Sequence, residues 1–322
     1  MTRKLLVSII VPVFNEELNI KPFYESVKIA IAGLLEIYDF EFVFTDNHST
    51  DATFSLIREL AHHDSRVFAY RFSRNFGYQR SILTGYTRCK GDAAVQLDVD
   101  LQDPPELLTR FIEEWRQGAD VVYGVRVKRQ ESWFINVQRV LFYRLIDRLS
   151  EDKIPVDAGD FRLISRRVID LLKTFDDAQP YLRGTIATLG FKQVGIPYQR
   201  NLRLHGESKF PFSKLISLAL DGILNHSTVP LRLSTYFGLT ISVLTLGLGI
   251  AYTVVKLVLR SQWPAGFTTI AALILASISI NAMLLGIIGE YLGRMYRQMK
   301  KQPITIIEDV IGIFPDPGHE IV

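Results

Sequence analysis

Short apolar runs alternate with helix-like segments up to about Pro230, and this alternation restricts the possible folds more than any other feature. The runs have the length of strands, and segments with helical spacing of their apolar residues separate most of them. The runs are LLVSIIVPV, FEFVFTD, RVFAYRF, DAAVQLDVD and ADVVYGVR. Such alternation is typical of right-handed crossovers and a mostly parallel, doubly wound sheet. We therefore predict an α/β domain over residues 1–210.

Polar side chains stand at the ends of three predicted strands. Doubly wound sheets bind ligands at the carboxyl ends of their strands. We therefore expect these side chains to converge on one site. They are Asn15 and Glu16, Asp46 and Asn47, and Asp98 and Asp100.

The segment AVQLDVDLQDPPEL ends an apolar strand in three carboxylates, Asp98, Asp100 and Asp103. Alternate residues of a strand share a face, so Asp98 and Asp100 are expected to point the same way and to repel each other. A divalent cation would relieve this repulsion, because Mg²⁺ takes carboxylate oxygens and usually keeps a phosphate in the same shell. The spacing indicates a metal–phosphate site. Asp103, before Pro104, has the pattern of a helix N-cap followed by proline at the first helical position.

The composition changes after Pro230. Two uncharged stretches, Tyr236–Val255 and Phe267–Gly289, each reach the length of about 20 apolar residues that crosses a bilayer. We predict a transmembrane hairpin over residues 231–293. Arginines and lysines are more frequent outside the hairpin than in its link, which by the positive-inside rule places both termini and the α/β domain in the cytoplasm.

Two further segments flank the hairpin. Residues 211–230 carry apolar side chains at helical spacing, which predicts an amphipathic helix at the membrane interface or, alternatively, a helix packed on the domain. Residues 294–322 form a predicted cytosolic tail, whose strand-like run ITIIEDVIGIF suggests subunit contacts.

The net charge and the cysteine content argue against several classes of protein and of site. The net charge of +3 gives no support for nucleic-acid binding. The single cysteine, Cys89, excludes a disulfide framework and a cysteine zinc site, which fits a reducing compartment.

Seven motifs, taken in order, resemble those of inverting family 2 glycosyltransferases with the GT-A fold. They are PVFNEE, TDNHSTD, SRNFGYQRSILTGY, LDVDLQDPPE, YGVRVKRQESWF, DAGDFRLISRR and RLHGESKF. Within that family they are similar to the polyprenyl-phosphate glycosyltransferases, which include dolichyl-phosphate mannose synthase and the bacterial bactoprenol glucosyltransferases. The resemblance extends over about residues 5–300.

The resemblance implies a hexose transfer from a nucleotide sugar to undecaprenyl or another polyprenyl phosphate, with Mg²⁺ or Mn²⁺ as cofactor. It places the reaction at the cytosolic face of the bacterial inner membrane and implies a homotetramer. UDP-glucose is the expected donor, and the alternative donors are UDP-galactose, UDP-N-acetylhexosamines and GDP-mannose. Attack opposite the leaving group would give a β-linked product from an α-linked donor.

The resemblance also assigns site residues. Those implied to bind the nucleotide are Pro12, Phe14, Glu16, Asp46, Asp98 and Val99. The implied metal ligands are Asp98, Asp100 and Gln102. Asp100 and Asp157 are the implied catalytic residues. One of Asp157 and Asp160 is implied to lie near the transferring sugar carbon, as a base or as a group that orients the sugar or the acceptor. Arg126, Arg203 and Lys209 are the candidates for binding the acceptor phosphate, since guanidinium groups match phosphate oxygens. For Arg129, Arg200 and Lys214, contact with lipid headgroups is favoured.

One motif departs from the family pattern of two acids followed by Gly-Ser. Here the chain reads Thr45-Asp46-Asn47-His48-Ser49, which we interpret as loss of the first acid and retention of the second as Asp46. This departure leaves a catalytically silent nucleotide-binding membrane scaffold as an alternative. A processive polysaccharide synthase is disfavoured because such enzymes carry a Gln-x-x-Arg-Trp motif, and in this chain no tryptophan directly follows an arginine. A lipid flippase is disfavoured because the predicted spans carry no charge cluster.

Overall fold

The computed structural model describes residues 3–126, 158–175, 180–201, 236–241, 267–299 and 303–312, together with residues 243, 244, 247 and 258. The strands are β1 (Leu5–Val13), β2 (Tyr38–Asp46), β3 (Val67–Phe72), β4 (Ala93–Gln96), β5 (Val121–Arg126), β6 (Ala158–Ser165), β7 (Gln193–Tyr198) and β8 (Ile307–Ile311). The helices are α1 (Ile20–Ile31), α2 (Thr53–His63), α3 (Tyr78–Arg88), α4 (Leu107–Arg116), α5 (Arg166–Leu172), α6 (Leu182–Thr188) and α7 (Phe267–Met299).

All eight strands form one sheet in the order β7-β5-β6-β4-β1-β2-β3-β8. The pairs β1–β2, β1–β4, β2–β3 and β5–β7 are parallel, whereas β6 runs antiparallel to β4 and β5, and β8 runs antiparallel to β3. The predicted α/β fold with a mostly parallel sheet is confirmed. Because β1 lies between β4 and β2, their carboxyl ends are neighbours at one edge of the sheet.

The central strands are buried on both faces, as parallel strands covered by helices are. Residues 7–13 of β1 are buried; Val7, Ile9, Val11 and Val13 belong to one core and Ile10 to the other. On one side the rings of Phe111 (α4) and Phe161 (β6) stack with centroids 4.5 Å apart. Since β6 pairs with β4, this packing supports the strand that Asp98 follows.

Strand β8 comes from the predicted C-terminal tail and lies at the edge of the domain's own sheet. It pairs with β3 in the same chain, and Ile311 is buried in the core. The strand-like pattern that led us to predict subunit contacts is therefore accounted for within a single chain. The strand-like pattern is visible in the sequence of residues 307–311 alone. That this strand pairs with β3 depends on a contact between segments far apart in the sequence, which the pattern does not reveal.

None of the helices in the described part of the chain combines the length and the apolarity needed to cross a membrane. Helix α7 contains the second uncharged stretch. Most of the first stretch, and all of the predicted amphipathic helix at 211–230, lie outside the described residues.

Candidate functional site

The carboxyl ends of β4, β1 and β2 form one edge on which the predicted polar side chains meet. The strand register places Val13 opposite Asp46, and Ile10 opposite Gln96. Glu16 follows the end of β1, Asp46 is the last residue of β2, and Asp98 follows β4. We predicted from the sequence that this strand extends to Asp100, but β4 ends at Gln96. Asp98 and Asp100 therefore lie in the following loop and not on one face of a strand.

Each of these three strands is followed by a residue in the left-handed region of backbone space. The residues are Asn15 (φ 54°), His48 (φ 64°) and Leu101 (φ 55°), and no other non-glycine residue of the described part has a positive φ. Such conformations cost about 1–3 kcal/mol and persist where the surrounding structure holds them. The Asn15 backbone N–H donates to Ser49 Oγ at 2.9 Å, which holds the loop after β1 against the loop after β2.

Asp46 is fully buried at the end of β2. Its Oδ1 accepts from the Ser49 backbone N–H at 3.0 Å and from Ser49 Oγ at 2.5 Å. Its Oδ2 has no hydrogen-bond donor among the described residues, and Arg71 Nη1 lies 3.9 Å away. Burial raises the pKa of Asp46 above its ordinary value, although Ser49 and Arg71 oppose the shift. One carboxylate oxygen is thus left able to accept a hydrogen bond from a ligand.

The loop after β2 corrects our alignment of the altered motif. In the family pattern the residue before the serine is glycine, and here that residue, His48, has the positive φ that glycine adopts readily. Asp46 and Asn47 therefore occupy the two acidic positions, so the first acid is retained and the second is replaced by asparagine. Asn47 uses both halves of its amide, because Nδ2 donates to the Gly77 carbonyl at 3.3 Å and Oδ1 accepts from the Phe76 N–H at 3.1 Å.

Asp98 is held by two donors. Its Oδ1 accepts from the Tyr78 hydroxyl at 2.6 Å and from Gln96 Nε2 at 2.8 Å. Burial raises the pKa of Asp98 to about 7, assisted by the negative charges of Asp103, Asp100 and Asp160 and opposed by the Tyr78 hydrogen bond. The loop after β4 therefore places several carboxylates close enough to raise the pKa of Asp98.

A divalent cation fits this donor set. Asp100 is buried, and its Oδ1 accepts from the Gln102 backbone N–H at 3.2 Å. The described residues contain no group of three or more His, Cys, Asp or Glu side chains that could hold a metal. Mg²⁺ is usually bound by one or two carboxylates together with substrate phosphates, and Asp98 and Asp100 match that requirement.

Asp103 does not cap a helix, contrary to the prediction. Helix α4 begins at Leu107, and Asp103 is instead buried beside the end of β7. The Tyr198 hydroxyl donates to Asp103 Oδ1, and Arg126 Nη2 and Arg200 Nε lie 3.8 Å and 3.6 Å from its carboxylate oxygens. Local capping preference is overridden by these long-range partners.

Arg126, a predicted acceptor-binding residue, is the last residue of β5 and is partly buried. Its Nε donates to the Tyr198 hydroxyl at 3.2 Å. Its guanidinium lies over Gly159 on β6, where a Cβ would be only 3.0 Å from Nη2. Asp103 therefore joins the loop of the candidate metal site to a positively charged side chain on a different strand.

Asp160 lies next to this glycine on β6 and is buried. Arg183 binds it with two contacts, Nε to Oδ1 at 3.0 Å and Nη2 to Oδ2 at 2.5 Å. Gln79 Nε2 adds a third hydrogen bond at 3.2 Å. The ion pair lowers the pKa of Asp160 despite its burial. We did not predict Arg183, Gln79 or Tyr78 as site residues individually, although the last two belong to the motif SRNFGYQRSILTGY.

Other predicted residues are placed as follows. Pro12 is buried within β1, Phe14 is exposed just beyond its end, and Val99 is buried between Asp98 and Asp100. Arg200, for which headgroup contact was favoured, points toward Asp103. Asp157, Arg203 and Lys209, together with Arg129 and Lys214, lie outside the described residues.

Comparison with known proteins identifies a family. Residues 8–172 match the sequence model described as "Glycosyl transferase family 2". The chain is 39% identical over 317 residues to an uncharacterized glycosyltransferase, YkcC, of Bacillus subtilis (strain 168), covering 97% of this chain and 96% of that protein. It is 37% identical to the prophage bactoprenol glucosyl transferase homolog of Escherichia coli (strain K12), covering 94% and 99%. It is 36% identical to the bactoprenol glucosyl transferase of Shigella phage SfX, covering 94% and 98%.

Proposed function

The chain belongs to glycosyl transferase family 2 and is a glycosyltransferase, and from that premise we propose that it transfers a hexose from a nucleotide sugar to a polyprenyl phosphate. UDP-glucose is the proposed donor and undecaprenyl phosphate the proposed acceptor. Two relatives named for bactoprenol glucosyl transfer, similar over nearly their whole length, support this choice.

One observation carries the proposal: the carboxylates at the end of β2 and after β4 lie at one edge of the sheet, and Asp103 connects this edge to Arg126. Carboxylates suit a nucleotide's hydroxyls and N–H groups and a divalent cation. A guanidinium suits a phosphate. The edge therefore offers groups for both a donor and an acceptor.

We propose that Asp46 receives the nucleotide, since its Oδ2 is buried without a donor among the described residues. Glu16 follows the end of the neighbouring strand β1, and its Oε2 accepts from Asn19 Nδ2 at 2.7 Å. Phe14 would contribute an apolar surface for the base. Asp98, Asp100 and Gln102 argue against the scaffold alternative, whereas the altered motif, in which Asn47 replaces one acid, argues for it.

Asp98, Asp100 and Gln102 would hold Mg²⁺ or Mn²⁺. When bound, the ion neutralises charge on the donor diphosphate and on the leaving nucleotide. Tyr78 and Gln96 fix the Asp98 carboxylate, so that its orientation does not depend on the ligand.

The acceptor phosphate needs positive charge more than it needs a base. A phosphate monoester has a second pKa of about 6 and is largely dianionic at cytosolic pH. Arg126 would bind it and offset its repulsion from the donor. Arg203, Lys209 and Asp157 remain predictions from the sequence, the last as a base or as a group that orients the sugar.

We propose that the reaction takes place at the cytoplasmic face of a bacterial inner membrane. The proposed lipid acceptor supports this location, and the membrane spans at Tyr236–Val255 and Phe267–Gly289 stay predictions from the sequence.

The test uses the full chain in detergent with undecaprenyl phosphate, Mn²⁺ and a panel of radiolabelled nucleotide sugars. We expect label from one donor, UDP-glucose, to enter the organic phase and to stop doing so when EDTA is added. Transfer from a different donor would correct the sugar. Failure of every donor to transfer label would contradict the proposed reaction.

Replacing Tyr78 with phenylalanine is expected to slow transfer about tenfold while the protein stays folded, because a hydrogen bond to a charged group contributes about 1.5–3 kcal/mol. The substitution removes the hydroxyl that donates to Asp98 at 2.6 Å. The matched control is Tyr38→Phe, at the opposite end of the sheet, for which we expect the wild-type rate. Equal rates for both variants would show that Tyr78 does not orient Asp98.

A further inference from the structure

Strand β8 brings a side chain from near the C-terminus to the loop after β2. Glu308 Oε2 lies 3.2 Å from His48 Nδ1 and 3.4 Å from Arg71 Nε. The same His48 nitrogen is 3.0 Å from the Phe72 carbonyl. Glu308 therefore stands among the residues that surround the nucleotide motif, although the sequence separates it widely from them.

The Arg71 guanidinium faces a different group with each of its nitrogens. Nε faces Glu308, Nη1 lies 3.9 Å from Asp46 Oδ2, and Nη2 donates to the Ser49 carbonyl at 3.1 Å. The group also lies over the Phe54 ring, 5.0 Å from its centroid. Because the two carboxylates use different nitrogens, Glu308 does not compete with Asp46 for one donor, and the planar guanidinium is held in a single orientation.

That orientation matters for Asp46. Its carboxylate is fully buried, and burial alone favours its neutral form. A protonated carboxyl accepts hydrogen bonds less well than a carboxylate. Arg71 is the cation that favours the ionised form, so any residue that holds Arg71 in place also supports the ligand-binding oxygen.

We propose that Glu308 is a positioning residue for the donor nucleotide: it fixes Arg71 and His48 beside Asp46, so that the last strand completes the nucleotide half of the site. The inference rests on the proposed function, because it assumes that Asp46 receives the nucleotide. It goes further by making donor affinity depend on a residue near the C-terminus.

Strand β8 is attached to the domain by contacts that do not involve Glu308. The Ser73 N–H donates to the Ile306 carbonyl at 3.0 Å, and the hydroxyls of Thr84 and Thr305 lie 2.9 Å apart. Asp309, the next residue of the strand, pairs with Arg58 at 2.6 Å. Removing the charge of Glu308 therefore leaves the strand in place, and Asp309 provides a matched control on the same strand.

The experiment titrates UDP, and separately GDP, into the full chain in detergent with Mn²⁺, using calorimetry. Partly exposed ion pairs are individually weak, so we expect Glu308→Gln to weaken nucleotide binding by about threefold to tenfold. Glu308→Asp should recover part of the loss, and Asp309→Asn should bind like the wild type. In the transfer assay, Glu308→Gln should raise the KM for the donor and leave kcat unchanged, a split that general destabilisation would not produce.

A double-mutant cycle tests the route of the effect. In an Arg71→Met background, Glu308→Gln should have a smaller effect, because the side chain through which it acts is gone. Wild-type binding by Glu308→Gln, or equal losses for Glu308→Gln and Asp309→Asn, would overturn the inference and leave the proposed function intact. If the wild-type chain binds neither nucleotide, the proposed function and this inference both fail.

Discussion

Replacing Asp100 with asparagine is expected to reduce transfer by about a thousandfold or more, which corresponds to roughly 4 kcal/mol of transition-state stabilisation. Asp100 is buried in the loop after β4, and with Asp98 it supplies the carboxylate oxygens that fit a divalent cation. An amide of the same shape carries no charge to attract the ion or to share in neutralising the diphosphate. The measurement is label transfer at saturating donor over a range of Mn²⁺ concentrations.

The control for this prediction is Asp92→Asn. Asp92 lies just before β4, at the opposite end of the same strand, and its Oδ2 accepts from the Leu6 backbone N–H at 2.8 Å. We expect the control to retain wild-type transfer. Retained transfer in Asp100→Asn, with the same Mn²⁺ dependence as the wild type, would refute the assignment of Asp100 as a metal ligand.

The stability of the same variant should change in the opposite direction. Burial is the main cause that raises the pKa of Asp98 to about 7, and the charge of Asp100 adds to the shift, so the two carboxylates repel each other in the metal-free site. Removing one of these charges relieves part of the repulsion. In metal-free buffer we therefore expect Asp100→Asn to melt at or above the wild-type temperature, which separates loss of function from loss of fold.

Replacing Arg183 with methionine is expected to destabilise the domain by about 3 kcal/mol, because breaking a buried pair leaves an uncompensated charge. The charge is that of Asp160, to which Arg183 makes two contacts, the shorter at 2.5 Å. The measurement is the shift of the urea unfolding midpoint of the full chain in detergent. Lys173→Met is the control, because its pair with Asp170 at 3.0 Å is exposed and should contribute less than about 0.5 kcal/mol.

The destabilisation by Arg183→Met should also depend on pH. The ion pair lowers the pKa of Asp160 below its unfolded value, so its contribution is fully present above the unfolded pKa and is lost as pH falls through the folded pKa. The difference between wild type and variant should therefore be constant near neutrality and shrink below about pH 4. A second change, Asp160→Asn, should recover part of the lost stability. Equal shifts for Arg183→Met and Lys173→Met would show that the pair contributes little.

The sequence allowed the strand ends to be predicted because that prediction needs only local information. Parallel strands bring their carboxyl ends to one edge, so Glu16, Asp46 and Asp98 could be grouped from the order of the elements alone. The details of the loops were less accessible. His48 precedes Ser49, where the family pattern has glycine, and its φ of 64° supports the alignment of Asp46 and Asn47 with the two acidic positions.

Side chains paired across long distances in sequence were not predicted. Asp103 resembled a helix cap because capping is a local pattern, but its hydroxyl donor, Tyr198, comes 95 residues later. Arg183 was missed because nothing in its own segment identifies Asp160 as its partner. Charged pairs of this kind depend on how strands and helices pack, and a single sequence does not encode that packing in a readable pattern.

The position of β8 has a consequence for the synthesis of the protein. Residues 307–311 follow all the other described strands in the sequence, so β3 stays an open edge while those strands are being made. Open edges can pair with strands of other molecules, and β8 closes this one with a short strand that carries Glu308 and Asp309. A protein truncated before β8 would therefore expose the unpaired edge of β3. We expect it to aggregate, although every strand that carries a candidate ligand is present.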